Sequence, residues 1–277
     1  MGSKKELRKD IIVELEYTGE RVVPGKTPYV VYQEHINRYF FASKYIKDKL
    51  VLDVASGTGY GSYYLAKNGA KKVIGLDASK DAVIYAKNFY ETRHLSFILG
   101  EATSLPFYDE SFDVVVSFET IEHIKEYRKF LSECKRVLKD NGLFICSTPN
   151  KKISSPHTEK PLNPFHFKEF YPEEFFDLLN EYFVNVKLYG QCDINLTKKL
   201  IKIGVNILSI IPTGNTVKKI IKKFINLNKE YRDFYNTEKK EKKLEEIIDE
   251  NYKVSKFKNN LFTTSKYIIA IAEKGEV

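Results

Sequence analysis

Cysteine is scarce in this chain of 277 residues. Cys134, Cys146 and Cys192 form no CxxC pair and no zinc-ligand spacing. That excludes a disulfide scaffold and fits a reducing compartment. No run of 18 apolar residues occurs, so a membrane-spanning helix is not expected. Met1 to Asp10 is charged and lacks an apolar stretch, so no secretion signal is expected and the location is read as cytoplasmic. No internal repeat is visible. Acid is absent from residues 194–229, which carry eight lysines. The formal net charge of +8 therefore sits in one segment, on an otherwise neutral chain. This excludes a uniformly basic nucleic-acid binder: no DNA contact is expected, RNA is disfavoured, and a local anionic partner stays open.

What is present reads as globular. Hydrophobic residues make up 43% and aromatic residues 14%, which argues against disorder. Residues 1–45 form a polar, aromatic-rich lead-in ending in a helix over Gln33–Tyr45. Short apolar runs then alternate with helical patterns. Strands are expected at Leu50–Ala55, Val73–Leu76, Leu95–Leu99, Phe112–Ser117 and Leu143–Ser147. Helices are expected over Tyr63–Lys67, from a Ser79 cap to about Glu91, and over Lys125–Lys139, where Asn141-Gly142 stops the last. Strands alternating with helices predict an α/β, doubly wound, mostly parallel sheet covered on both faces. After Thr148, Lys151–Phe170 reads as a loop, Glu173–Asn180 as a helix opened by Pro172, and Phe183–Tyr189 and Ser265–Ala272 as strands. Residues 194–262 read as a basic helical insertion before the last strand. The domain is thus expected over 46–193 and 263–277, with 1–45 as an N-terminal cap.

The segment Leu52-Asp-Val-Ala-Ser-Gly-Thr-Gly-Tyr-Gly61 runs a buried strand into a Gly-rich turn and then a helix. Such a turn lies at the carboxyl end of the first strand, where doubly wound sheets bind ligands. Its spacing is not the GxGxxG of a dinucleotide site, which weakens a nicotinamide oxidoreductase. Asp53 would repel a pyrophosphate and suit an ammonium group. Asp77 ends the second strand, where a carboxylate can accept both ribose hydroxyls; a surface carboxylate capping the next helix is the competing reading. Glu101-Ala102 follows the third strand and can receive an adenine amino group, or Glu101 is simply solvated.

These stretches resemble ordered motifs of the class I S-adenosylmethionine-dependent methyltransferases. Val51–Gly61 looks like motif I and Gly75-Leu-Asp77 like motif II. Gly100–Phe107 and Phe112–His123 resemble motifs III and IV of the subfamily that includes ubiquinone and sugar-pathway enzymes. Leu138–Phe144 looks like the turn after them. Thr18–Pro24 and Asn163–Lys168 resemble a group found with polysaccharide and glycolipid assembly genes. The resemblance implies a Rossmann-like sheet of seven strands, the last antiparallel, and S-adenosyl-L-methionine as cofactor. It implies that Asp53 and the Gly57/Gly59 turn hold the methionine portion, with Ala55, Ser56 and Ala78 in the same site. Asp77 would hold the ribose, Glu101 and Ala102 would flank the adenine, and Phe118 would lie against the cofactor.

Methyl transfer is an in-line displacement that needs donor and acceptor close and aligned. A hydroxyl acceptor must also lose its proton, and a neutral imidazole suits that task. His123, after the fourth strand, is the candidate base; a structural histidine under the cofactor is the equal alternative. Glu119-x-x-Glu122-His123 with His166 also matches a metal-dependent RNA 3′-terminal 2′-O-methyltransferase family, which leaves a divalent-ion site as a minor alternative to no metal. The lead-in offers Tyr17, Arg21, Tyr32, His35, Arg38 and Tyr39 as a cover for the cofactor. Arg21, Tyr32 and His166 are the candidate substrate contacts. Within the insertion, Val217, Ile220, Ile221, Phe224 and Ile225 share one helical face, with lysines off it. A solvated lysine face is the leading reading there, and peripheral contact of 198–229 with an anionic membrane the second.

The expectation is an O-methyltransferase for a small molecule, sugar or lipid-linked intermediate. The metal-dependent RNA enzyme and a non-catalytic nucleotide-binding protein are its competitors. An amino-methylating nucleic-acid enzyme is disfavoured, because [DN]-P-P-[YF] is absent after strand four.

Overall fold

The computed structural model describes residues 13–191, 252, 254–256 and 265–276. The insertion expected over 194–262, its amphipathic lysine helix and Cys192 lie outside the described residues, save four positions near the insertion's end.

The apolar runs form the sheet. Strands β1 (Leu50–Val54), β2 (Lys72–Asp77), β3 (Leu95–Leu99), β4 (Phe112–Phe118) and β5 (Leu138–Pro149) are parallel. With β6 (Val184–Gln191), β7 (Val254–Lys256) and β8 (Tyr267–Glu273) they are ordered β3-β2-β1-β4-β5-β8-β6-β7. Strand β8 lies antiparallel between β5 and β6. The seven expected strands are all present. The eighth, β7, pairs with β6 through Val254, Ser255 and Lys256. The end of the insertion thus belongs to the sheet.

The period-two alternation along the strands divides the core. Val51, Val73, Val114 and Val116 pack on one face with α1 (Tyr29–Ala42), α2 (Tyr60–Lys67) and α3 (Lys80–Tyr90). Leu52, Val54, Leu76 and Val115 pack on the other with α4 (Tyr127–Val137) and α6 (Pro172–Asn180). Both faces are covered, as a parallel sheet requires. The N-terminal cap is therefore part of the domain core, since Tyr32, Ile36 and Tyr39 of α1 join the first face.

Local chemistry sets most boundaries. Ser79 caps α3, its Oγ accepting from the Ala82 amide at 3.3 Å. Helix α1 begins at Tyr29, after Pro28, four residues earlier than expected. Helix α4 stops at Val137 rather than at Asn141-Gly142, because buried Leu138 already pairs with Phe112 in the sheet. Asn141 instead takes φ +57 where the β4–β5 register shifts. The expected loop after β5 opens with one helical turn, α5 (Lys151–Ser154), capped by the Asn150 side chain.

Candidate functional site

A cavity of about 430 Å³ lies at the carboxyl ends of β1, β2 and β4, roofed by the segment Thr18–Val22. This is the size of an ordinary small-molecule site. The turn after β1 reaches it through Ala55 at φ +60 and Gly57 at φ +56, which bend the backbone toward the cavity wall. Ser56, Asp77, Ala78, Glu101, Ala102, Phe118 and His123 also line it, so most of the predicted site residues converge.

Asp77 organises the floor. Its Oδ2 accepts from the Gly57 amide at 2.7 Å and its Oδ1 from the Ser79 amide at 2.9 Å. A carboxylate offers about four lone pairs, so two stay available to hydroxyl donors. The second-strand acid thus braces the Gly turn and faces the cavity at once.

Asp53 stands elsewhere than expected. It is fully buried and does not line the cavity. Ser62 Oγ donates to it at 2.6 Å and Tyr39 Oη at 3.3 Å. Burial pushes its carboxyl up to about 7, the nearby Asp77 charge adds to this, and the two hydroxyls partly offset it. Its place is one layer behind the site, beneath Tyr39. Gly59 is likewise outside the lining. It caps α2 at φ +85, and a Cβ there would meet Ala86 and Phe97 at 2.7 Å, so packing requires the glycine.

Two candidate substrate contacts are also corrected. Tyr32 is fully buried against the Tyr60 ring. His166 is sequestered between Asn163 Nδ2 at 2.9 Å and Glu169 Oε1 at 2.6 Å, behind His123 and outside the cavity lining. Arg21 does line the cavity, and its Cγ lies 3.7 Å from where a Gly57 Cβ would stand. Thr58 Oγ1 donates to the Val22 carbonyl at 2.8 Å and ties the roof to the turn.

His123 brings an imidazole to the cavity wall, which Phe118 also lines. Its Nδ1 faces the Phe165 carbonyl at 3.1 Å, which fixes the Nδ1–H tautomer and puts the ring's lone pair on Nε2. Burial, and then the neighbouring His166, lower its pKa, so it is neutral near pH 7. Glu122 behind it is fully buried, with Thr148 Oγ1 donating to Oε2 at 3.1 Å. Burial, then the Glu119 charge, raise its pKa well above the usual carboxyl range. One ligating atom from each of Glu122, His123 and His166 lies within 4.8 Å of the others. Glu119, the fourth residue of the expected metal set, is not in that group; its Oε1 accepts from Ser147 Oγ at 2.6 Å.

The cavity also uses residues that motif spacing did not single out. Glu20, Tyr60, Thr120 and Ile124 line it. From the lead-in, His35 and Tyr39 line it as well. His35 is half-buried, and desolvation followed by the Arg38 and Lys266 charges lowers its pKa well below the usual imidazole value. Only the folding of α1 against α2 brings these side chains here.

Residues 52–146 match the family described as "Methyltransferase domain". This stretch carries a methyltransferase domain. A Mycolicibacterium smegmatis protein named "Probable S-adenosylmethionine-dependent methyltransferase" is 38% identical over 176 residues, or 60% of this chain and 63% of that one. A fatty-acid O-methyltransferase of the same organism is 30% identical over 166 residues, covering 57% and 60%. The chain thus spans less than two thirds of the length of these curated relatives. The methyltransferase fold is shared with a Thermotoga maritima structure at a TM-score of 0.55 and 16% identity, covering 89% of this chain and 92% of that one. S-adenosylmethionine is the cofactor the family implies, and the residues present fit it. The cavity sits at the switch between β1 and β4, and Asp77 keeps acceptor lone pairs on its wall.

Proposed function

We propose that the chain transfers a methyl group from S-adenosylmethionine to a hydroxyl of a small, sugar or lipid-linked acceptor. The observation that carries this is Asp77, braced by Gly57 and Ser79 and facing a cavity that His123 also lines. The bound cofactor supplies an electrophilic methyl on a sulfonium. Asp77 would hold the ribose hydroxyls, with Glu101 and Ala102 at the adenine end. The backbone of Ala55–Gly57 and the Arg21 side chain would hold the methionine end. His123 Nε2 would take the acceptor's proton as the new carbon–oxygen bond forms and the methyl–sulfur bond breaks, leaving the neutral thioether S-adenosylhomocysteine, and its Nδ1–H keeps the ring fixed through Phe165. The strap Thr18–Val22, which lines the cavity, would help to exclude water from the bound cofactor. The fatty-acid O-methyltransferase among the relatives supports an acyl-bearing acceptor.

The test separates binding from chemistry. Calorimetry on the wild type is expected to give saturable binding of S-adenosylmethionine and S-adenosylhomocysteine. Asp77→Ala removes two charge-assisted hydrogen bonds and should weaken both ligands about 100-fold or more. His123→Gln should bind them unchanged and lose methyl transfer by roughly 100-fold or more. No binding to the folded wild type would sink the reading.

A further inference from the structure

Arg38, on α1, is a charge without a full set of partners. It is buried completely, at 0% exposure. Its Nη1 donates to Gln191 Oε1 at 2.8 Å, and its guanidinium lies 4.5 Å from the centre of the Tyr267 ring. Nε and Nη2 donate to nothing. A buried cation in that condition is costly, and native interiors rarely keep one without a counter-group.

The two open donors belong together. Nε and Nη2 share one edge of the planar guanidinium, the fork that meets two oxygens of a carboxylate or phosphate in parallel. The rest of the group is fixed so as to present that edge. Gln191, which takes Nη1, is itself held, because its Nε2 donates to the Glu34 and Tyr252 carbonyls at 2.9 and 2.7 Å.

The nearby acids of the chain do not fill the fork. Glu34 and Glu119 are the carboxylates whose charges reach Arg38. Glu34 accepts from Lys266 Nζ and Tyr267 Oη, both at 2.8 Å. Glu119 Oε1 accepts from Ser147 Oγ at 2.6 Å. Neither accepts from the open edge.

Its place in the fold separates the fork from the nucleoside. Asp77 ends β2, on one side of the β1–β4 pair. The groups around Arg38 come from the other side: Glu119 after β4, Tyr267 in β8 and Gln191 in β6. His35, Tyr60 and Glu119 interact with Arg38 electrostatically and line the methyl-transfer cavity, so the guanidinium lies behind that wall. Glu119 takes φ +53 there, a conformation that non-glycine residues rarely adopt and that recurs at ligand clamps.

We propose that the Nε–Nη2 edge of Arg38 binds an oxyanion, a carboxylate or phosphate carried by the acceptor, as the Glu119 side chain turns aside. The acceptor is then an acidic molecule, tethered at Arg38 while its hydroxyl reacts. Naming the acceptor as the carrier rests on the methyl-transfer reading; the oxyanion site itself does not.

The full chain, isotopically labelled at its arginine nitrogens, is titrated with acetate, with inorganic phosphate and with chloride at equal ionic strength, in the absence and presence of saturating S-adenosylhomocysteine. The Arg38 Nε–H resonance is recognised by its slow exchange with solvent and by its loss from Arg38→Lys. Expected is a saturable downfield shift with acetate or phosphate, at a concentration about tenfold or more below that of any chloride effect, and kept when S-adenosylhomocysteine is bound. The anion that acts first tells a carboxylate from a phosphoryl group. Arg38→Lys keeps the charge and loses the fork; calorimetry should find the preferred anion bound about tenfold or more weakly, with S-adenosylhomocysteine affinity unchanged. The wild-type titration stands even where the variant fails to fold. A resonance that no anion moves, or that chloride moves equally, overturns the proposal. So does one that S-adenosylhomocysteine moves and then shields from acetate and phosphate, because the fork then holds the cofactor's own carboxylate. Failure of the methyl-transfer reading shows separately, as absent S-adenosylhomocysteine binding by the wild type.

Discussion

Asp53 is a carboxyl enclosed by protein, with the hydroxyls of Tyr39 and Ser62 as its donors. Its pKa rises from 3.8 unfolded to about 7 folded, chiefly because burial disfavours the charge. A raised folded pKa means that the native state holds this proton more firmly. The stabilisation is full below pH 4 and is lost as pH climbs to about 7, a span on the order of 4 kcal/mol. Asp53→Asn keeps the shape and removes the titration. Urea unfolding at pH 5 and pH 8 should therefore find the variant gaining stability relative to wild type at the higher pH. An equal difference at both pH values would mean that the carboxyl ionises normally. The residue also shows how far motif reading carries. The acid of the Gly-rich motif was legible as part of the site's apparatus, but its depth was not. Depth depends on the Tyr39 ring, which arrives from α1, and no spacing within β1 encodes that. Asp77 was legible because a strand-end carboxylate two residues before a helix cap has its backbone partners fixed locally.

At the scale of elements, the contact between α1 and α2 holds the site together. A Cβ added at Gly61 would stand 2.0 Å from the Tyr39 ring, closer than any packing allows. Gly61→Ala should therefore cost about 1–3 kcal/mol. It should also weaken cofactor binding, because Tyr39 lines the cavity. A lowered melting temperature with affinity intact would show that the helices shift without disturbing the site. Elements with a strong period were read well from sequence, β3 to the residue. Those set by tertiary pairing were not. Helix α4 ends early because Leu138 is claimed by the sheet, and β7 forms only because β6 offers it an open edge. The turn α5 was missed because it is a single turn held by one Asn150 side chain, too short for any periodicity.

For the whole molecule, the roof and the closing strand matter most. The strap Thr18–Val22 crosses the Gly turn and is tied to it through Thr58. Amide exchange over residues 18–23 should slow when S-adenosylhomocysteine binds, read by mass spectrometry. Unchanged exchange would place the bound nucleoside away from the strap. The doubly wound plan was legible because strand and helix periods alternate from Leu50 to Pro149, whereas the roof carries no period and its role emerged only from the fold. Strand β8 has a different consequence. It fills the gap between β5 and β6, and its Tyr267–Ala272 stretch is buried. On the ribosome, β5 and β6 are synthesised long before their shared partner emerges. Until then each presents an unpaired edge, the kind of surface that recruits other chains. The nascent protein therefore stays vulnerable to misassembly until β8 is released, and truncating substitutions upstream of β8 should damage it as severely as lesions in the Gly-rich turn.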